Sequence, residues 1–411
     1  METDGFYSKS DAMAVQAAGR SRPGPAAPCY KAAPVPEEIL IVAAEASADQ
    51  LAARALRELR ALRPDLHAFG LGGPRLREEG LEALHDAEEI NVMGFAEVLP
   101  RIPRILAILR GLKAAAAARR PRAALLVDSP DFNLRLARRL KALGVKVVYY
   151  VSPMIWAWRP GRARKIARLV DRMLCILPFE ERFYQGTGVA ARFVGHPLAE
   201  RPPPGPAAGY RAALGLESGR TTVALLPGSR APEVKRIFPA MLAAAERIRS
   251  RHPDAQFVVP VAPTLSEESL RPFLASHATL EVKLVSGRSE EAVGAADAAL
   301  VKSGTSTLET ALMRRPMVVV YKMSWLSWLL AKLLVRVADF ALVNVLAGRR
   351  LVPELLQLQA SPGRMAQEVE RLLSDPAARE AQLGGLDEVR ASLGGAGAAR
   401  RVAEEIARVL A

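Results

Sequence analysis

The chain has 411 residues, half of them apolar and 24% charged, which is enough for two globular domains that each bury a core. Its formal net charge of +14 favours anionic partners, such as phosphorylated substrates, an anionic membrane face or nucleic acid, although arginine on Ala- and Leu-rich helices gives the same number without any partner. Two cysteines, Cys29 and Cys175, exclude a disulfide framework; five scattered histidines show no HExxH and no D-x-D is present, so neither a metal nor a cofactor is expected.

Residues 1–36 are polar, rich in Ala, Pro and Gly, and lack the apolar core of a signal peptide. They are expected to form a disordered extension outside the fold. ILIVAAE (39–45) then reads as a buried strand, and ASAD (46–49) turns it into a helix running to about Leu62. Further strands are expected at 68–71, 123–127, 145–151, 173–177 and 191–194, most of them separated by helices. RPPPGPAAG (201–209) reads as a linker. The pattern restarts with strands at 222–226, 256–261, 281–284, 298–301 and 317–321. This alternation predicts an α/β chain with parallel sheets in two Rossmann-like domains facing across a cleft, spanning 37–200 and 201–385. C-terminal helices follow at 386–411. No apolar run is long enough to span a bilayer.

Four stretches carry chemistry. After the first strand, Glu45, Ser47 and Asp49 form a loop shaped like a Rossmann phosphate turn but without its glycines, so contact with an acceptor substrate suits it better than a dinucleotide does. LLVDSPDFN (125–133) delivers Asp128 at a strand end facing the cleft, where a general base for a hydroxyl nucleophile belongs. Asp128 or Asp131 as a helix cap is the alternative. YYVSPMIWAWRPGR (149–162) places Trp156, Trp158, Arg159 and Arg162 past the next strand end, with Arg164 close behind. That mixture suits a phosphorylated, amphipathic ligand, and it equally suits two tryptophans packing a domain interface. In the second half, TTVALLPGSR (221–230) and KSGTSTLE (302–309) each run from strand through a small-residue turn into a helix N-terminus. They present backbone N–H groups and a positive dipole end to an anion. Arg230 adds a planar cation suited to a diphosphate, and Glu309 either opposes the dipole or accepts from a ribose. Asp128 and Arg230 are expected to face each other across the cleft.

Two segments mix apolar and cationic residues, 92–112 with Ile105 and Leu109, and 323–337 with Trp325 and Trp328. Each reads either as an ordinary buried helix or as a membrane-interface element. In a chain this basic, the latter places these four residues against anionic lipid.

The motifs AAEASADQLAA, INVMGFAEVLPRI, LLVDSPDFN, YYVSPMIWAWRPGRARKI, LPFEERFY, FVGHPLAE, LLPGSRAPEV, KSGTSTLETAL and NVLAGRRLVPELL follow one another in the order seen in the lipid-A-disaccharide synthase family, which they resemble over about 39–373. That family consists of bacterial glycosyltransferases of the GT-B type. The resemblance implies transfer of 2,3-diacylglucosamine from UDP to 2,3-diacylglucosamine 1-phosphate, by an inverting and metal-independent reaction that gives a β-1,6-linked disaccharide 1-phosphate. It implies Asp128 as the base and Arg230 as the group that steadies departing UDP. Ser229, Ser303, Gly304, Thr305, Ser306, Glu309 and Asn344 fall on positions that line the nucleotide. It also implies a peripheral protein on the cytoplasmic membrane face, with dimers in some members. The family usually has G-E-x-S-G-D in its first loop, where this chain has Ala44 and Ala48. A UDP-N-acetylglucosamine 2-epimerase or the peptidoglycan-precursor glycosyltransferase is the rival within the same fold. No nucleic-acid recognition motif accompanies the positive charge, so no nucleic-acid partner is expected.

Overall fold

A computed structural model describes residues 37–90, 101–325, 328–329 and 339–411. The expected 1–36 extension lies outside these, as does most of 92–100 and 326–338. The described residues from Glu37 to Ala411 form one compact unit built on two parallel sheets.

The first sheet contains β1 (Glu38–Ala43), β2 (His67–Gly72), β3 (Glu82–Asp86), β4 (Ala123–Val127), β5 (Lys146–Tyr150), β6 (Arg172–Cys175) and β7 (Ala191–Phe193). Their spatial order is β3-β2-β1-β4-β5-β6-β7. The second contains β8 (Thr222–Leu226), β9 (Gln256–Val261), β10 (Val282–Ser286), β11 (Ala298–Lys302), β12 (Met317–Tyr321) and β13 (Glu354–Leu356), in the order β10-β9-β8-β11-β12-β13. Both sheets are doubly wound, as the alternating strand and helix pattern requires. Two edge strands, β3 and β13, were not expected. EALHD in β3 has no apolar alternation, and β13 is three residues long with a glutamate at its start.

Alternate residues along each central strand feed opposite faces, as the two-residue period of a strand demands. Leu40 and Val42 of β1 join the core beneath helices Ile102–Arg119 and Pro130–Lys141. Ile39, Ile41 and Ala43 join the core beneath helix Ala46–Leu62. In β8, Val223 and Leu225 face one layer and Ala224 and Leu226 the other. Such strands are buried on both faces, which explains their near-continuous apolar sequences.

The C-terminal helices divide between the halves. Helix Pro376–Ser392 packs Leu383, Leu386 and Val389 into the second half. Helix Ala398–Leu410 packs Val402, Ala403, Ile406 and Leu410 against the first sheet. The chain therefore crosses between the halves twice, at 194–206 and at 392–398. The two crossings touch: His196 N donates to Leu393 O at 2.9 Å, and the Arg401 guanidinium donates to Val194 O at 2.7 Å and Ala396 O at 2.8 Å. A Cβ at Gly394 would stand 3.1 Å from the Gly195 Cα, so glycine permits the close approach.

The expected membrane-facing residues fare differently. Leu109 is 1% exposed and Ile105 packs against the first core, because Ile108, Leu109, Leu112 and Ala116 form the buried stripe of their helix. Leu109 is therefore closed to a membrane, which corrects that expectation, while Ile105 is half-buried. Trp325 is 63% exposed, while Trp328 is half-buried with its ring 5.9 Å from that of Phe340. Among the described residues, no helix is long and apolar enough to cross a membrane.

Candidate active site

In a doubly wound sheet, ligands bind beyond the carboxyl ends of the strands at the point where the winding reverses. In the first sheet that point lies between β1 and β4, and in the second between β8 and β11. The loops after these four strands carry Glu45–Ser47, Asp128, Ser229–Arg230 and Ser303–Ser306 respectively.

The turn after β4 is strained. Asp128 has φ 51° and Ser129 φ 41°, left-handed values that cost a non-glycine residue roughly 1–2 kcal/mol each. Hydrogen bonds hold the turn in place. The buried Asn133 amide donates to Val127 O at 3.0 Å and to Asp128 O at 2.8 Å. The Tyr149 hydroxyl donates to Asp128 O at 2.5 Å, and Asp128 N donates to Tyr150 O at 2.9 Å. The Asp128 backbone is thereby fixed at the strand edge, with its side chain in a cavity wall. Burial, followed by the charge of Glu45, raises its pKa, against an opposing hydrogen bond from the Ser129 backbone. A raised carboxylate pKa is the property a general base for a hydroxyl needs. Asp131 occupies the first turn of the next helix, and neither it nor Asp128 provides a side-chain cap there.

Asp128 and Asp131 line a cavity of about 1070 Å³ between the two halves. This is at the upper end of small-ligand pockets, so it suits a bulky substrate. Ser47 and Arg159 from the first half, and Thr305 and Glu309 from the second, share its wall. Much of the remainder is apolar, including Leu51, Leu134, Ile155, Leu308 and Leu342. Burial raises the pKa of Glu309 as well, with Arg201 opposing the shift.

Several expected site residues serve the scaffold instead. Asp49 is 2% exposed and accepts from the backbone N–H groups of Gly73 at 2.7 Å, Arg75 at 3.0 Å and Leu76 at 3.2 Å. It satisfies the start of helix Pro74–Glu78 and does not meet an acceptor. Asn344 is fully enclosed; its amide donates to Val352 O at 3.0 Å and Glu354 Oε1 at 2.7 Å. It holds the loop that receives the Ser303 hydroxyl at Phe340 O and does not line a nucleotide. Trp156 packs edge-on against Phe179 at 4.8 Å and stands behind the cavity wall, its indole donating to the cavity-lining Glu180 Oε1 at 3.2 Å. Glu45 is exposed and accepts from the Ser129 hydroxyl at 3.1 Å, bracing the strained turn. Ala44 and Ala48, where the resembling family has glycine, put their Cβ atoms into the cores on either side of β1.

The cavity reaches the β11 loop but not the β8 loop. Ser229, Arg230, Ser303, Gly304 and Ser306 do not contribute to its wall, so the expected facing of Asp128 and Arg230 across one cavity is not found. Arg230 is exposed at the carboxyl end of β8, beside the Ser303–Ser306 turn because β8 and β11 are hydrogen-bonded neighbours. Helices Ala231–Arg251 and Thr305–Leu312 start there without a side-chain cap, their cap positions being Arg230 and Gly304. The N–H groups of Ala231, Thr305 and Ser306 remain available to an anion there, whereas Pro232 has none and those of Glu233 and Thr307 return to Arg230 O and Gly304 O. Gly228 and Gly304 have φ 112° and 154°, conformations that need glycine. Two further charges, Glu233 and Lys302, gather here. Glu233 lies 3.6 Å from Arg230 and 3.0 Å from Lys302, and the Lys302 ammonium sits 5.5 Å over the Tyr321 ring.

Sequence reasoning missed Asn133, Tyr149, Glu180, Glu233 and Lys302. Only Lys302 carried a visible signal, a cation directly before the Gly-Thr turn. Burial pushes the Glu180 carboxyl up to about 8, although it accepts from the Trp156 indole and from Leu177 N.

Comparison with known proteins agrees with this geometry. The family model described as lipid-A-disaccharide synthetase matches residues 39–403. Lipid-A-disaccharide synthase of Anaeromyxobacter dehalogenans (strain 2CP-1 / ATCC BAA-258) is 73% identical over 91% of this chain and 98% of its own. That of Myxococcus xanthus (strain DK1622) is 55% identical over the same shares. Among solved structures, the glycotransferase of kitacinnamycin superposes with TM-score 0.59 at 17% identity, covering 92% of this chain and 100% of its own. The calicheamicin glycosyltransferase CalG4 gives 0.56 at 17%, over 91% and 98%. A UDP-N-acetylglucosamine 2-epimerase gives 0.55 at 13%, over 85% and 90%. At such identities the structures establish the GT-B fold alone, while the relatives establish the family. The chain belongs to the lipid-A-disaccharide synthase family of GT-B glycosyltransferases.

Proposed function

We propose that the enzyme transfers 2,3-diacylglucosamine from UDP to 2,3-diacylglucosamine 1-phosphate, forming the β-1,6-linked disaccharide 1-phosphate. Asp128 takes the proton of the acceptor 6-hydroxyl while that oxygen attacks the anomeric carbon of the donor. The sugar–diphosphate bond breaks on the opposite face, so configuration inverts. Negative charge then grows on the departing UDP, which the uncapped helix starts after β8 and β11 receive together with Arg230 and Lys302. Arginine, lysine and helix dipoles supply the positive charge this step needs, without a metal. Glu309, in the cavity wall one turn into the second helix, is placed for the donor's ribose.

The observation that carries this reading is the strained, hydrogen-bonded turn holding a desolvated Asp128 in an apolar cavity shared with Thr305 and Glu309. The apolar wall suits acyl chains. The exposed Trp325 and the cationic balance of the chain suit a peripheral position on the cytoplasmic face of an anionic membrane. Binding to vesicles of anionic lipid tests that placement.

The enzymatic test is mass spectrometry after incubation with both lipid sugars. A disaccharide 1-phosphate that depends on both substrates supports the reading. Conversion of the UDP-sugar to its 2-epimer with no acceptor present replaces it with the epimerase.

A further inference from the structure

Four arginines line the cavity: Arg54, Arg159, Arg162 and Arg201. Two are committed elsewhere. Arg54 lies 3.4 Å from Glu200, and Arg201 lies 3.3 Å from Glu290. Arg159 and Arg162 have no ion pair and no side-chain hydrogen bond among the described residues. They share the cavity with five carboxyl groups, Asp128, Asp131, Glu180, Glu200 and Glu309, yet engage none of them.

Their placement is specific. Both follow β5, the hydrogen-bonded neighbour of β4: Arg159 joins the short turns Ile155–Trp158 and Pro160–Arg162, and Arg162 ends the second. The Arg159 guanidinium lies 4.3 Å from the centre of the Trp158 ring. Stacking on an indole fixes the plane of the cation while leaving its N–H edges free. A planar fork held in this way matches the paired oxygens of a phosphate. Trp158 is in turn part of the cavity wall, and its turn is anchored from behind by the Trp156 indole on Glu180.

We infer that Arg159 and Arg162 bind the phosphate monoester of the acceptor sugar and select the phosphorylated acceptor over its dephosphorylated form. This rests on the reaction proposed above, and it separates the two phosphate sources within that reaction. The donor diphosphate belongs to the β8 and β11 loops of the second half. The acceptor phosphate belongs to the β5 turn of the first half, beside the base. A phosphate held there orients the acceptor ring from its far end, so that its free hydroxyl rather than its anionic end meets Asp128.

The test uses the full chain and a short-chain diacylglucosamine 1-phosphate, compared with the same diacylglucosamine lacking phosphate. Arg159→Gln and Arg162→Gln should each lower kcat/KM for the phosphorylated acceptor about tenfold, and together about a hundredfold, with little change for the dephosphorylated acceptor. Arg159→Lys should recover part of the loss, since it keeps charge but not the fork. Arg164→Gln, outside the cavity wall, should behave as wild type. Calorimetric titration of the phosphorylated acceptor without donor should show the same ranking, independent of turnover, and UDP affinity should not move. An unchanged preference between the two acceptors overturns the inference. So does a fall in UDP affinity in the arginine variants, which would assign the pair to the donor. Absence of any disaccharide from wild type, with arginine-dependent acceptor binding intact, would instead overturn the proposed reaction and leave the phosphate site standing.

Discussion

The two halves share a topology and solve opposite problems. At the switch point of the first sheet, a strained backbone turn is locked by Asn133 and Tyr149 and presents one carboxylate from a largely buried position. At the switch point of the second, flexible glycine turns, uncapped helix starts and an exposed Arg230 leave several donors open to solvent. The difference follows from the chemistry each must do. A base gains from desolvation, which raises its pKa, and from fixed aim, which cuts the cost of alignment. A diphosphate site needs many N–H donors and cations that a large anion can reach and leave. Glu233, between Arg230 and Lys302, supplies a counter-charge to that cationic cluster.

Substitutions break this contrast in graded ways. The largest effect is expected for Asp128→Asn, which should lower transfer by roughly 10²–10⁴-fold, the span of general base catalysis, while UDP binding persists. Wild-type activity should fall as acid protonates Asp128, with a limb above the ordinary Asp range because burial and Glu45 raise its pKa. Next, Arg230→Ala should cost on the order of a hundredfold in kcat/KM, visible in steady-state kinetics. Unchanged kinetics would remove Arg230 from the donor site. Asn133→Ala should lower kcat on the order of tenfold by loosening the Asp128 turn. It should also reduce stability by about 1–3 kcal/mol in denaturant unfolding, because Val127 O loses the Asn133 amide and Asp128 O keeps only the Tyr149 hydroxyl. An Asn133→Ala enzyme with normal kcat would show that the turn needs no lock.

The last effect is on stability alone and concerns Glu180. Its folded pKa of about 8 lies above the unfolded value of 4.5, so the folded state holds the proton more tightly. Its contribution to stability is complete below about pH 4.5 and is lost as pH rises through about 8. The slope over that window approaches about 1.4 kcal/mol per pH unit. Glu180→Gln should flatten it in melts between pH 5 and about 8.5; an identical slope in the variant would exclude Glu180 as its source.

The sequence made the central strands legible because burial on both faces leaves unbroken apolar runs such as AALLV in β4 and TVALL in β8. Edge strands β3 and β13 escaped, since β3 is nowhere fully buried and carries no such run, while β13 is mostly buried but only three residues long. Loop positions were legible as well, because Pro-Gly-Ser and Ser-Gly-Thr turns mark helix starts. Roles within loops were less so. Asp49 and Asn344 are polar residues in the right motifs, yet tertiary contacts distant in sequence, at Gly73 and Glu354, consume their hydrogen-bonding groups. Leu109 read as sticky because apolar and cationic residues alternate on its helix, and only packing shows which stripe is buried. The support given to Asp128 by Tyr149 depends on strand register, Val127 opposite Tyr150, which no local pattern announces.

The most direct test of Asp128 as the base is a paired measurement on wild type and Asp128→Asn: single-turnover formation of disaccharide 1-phosphate by mass spectrometry, and UDP affinity by calorimetry. The expected result is product from wild type only, with equal UDP affinity in both. Full turnover by Asp128→Asn would contradict the account.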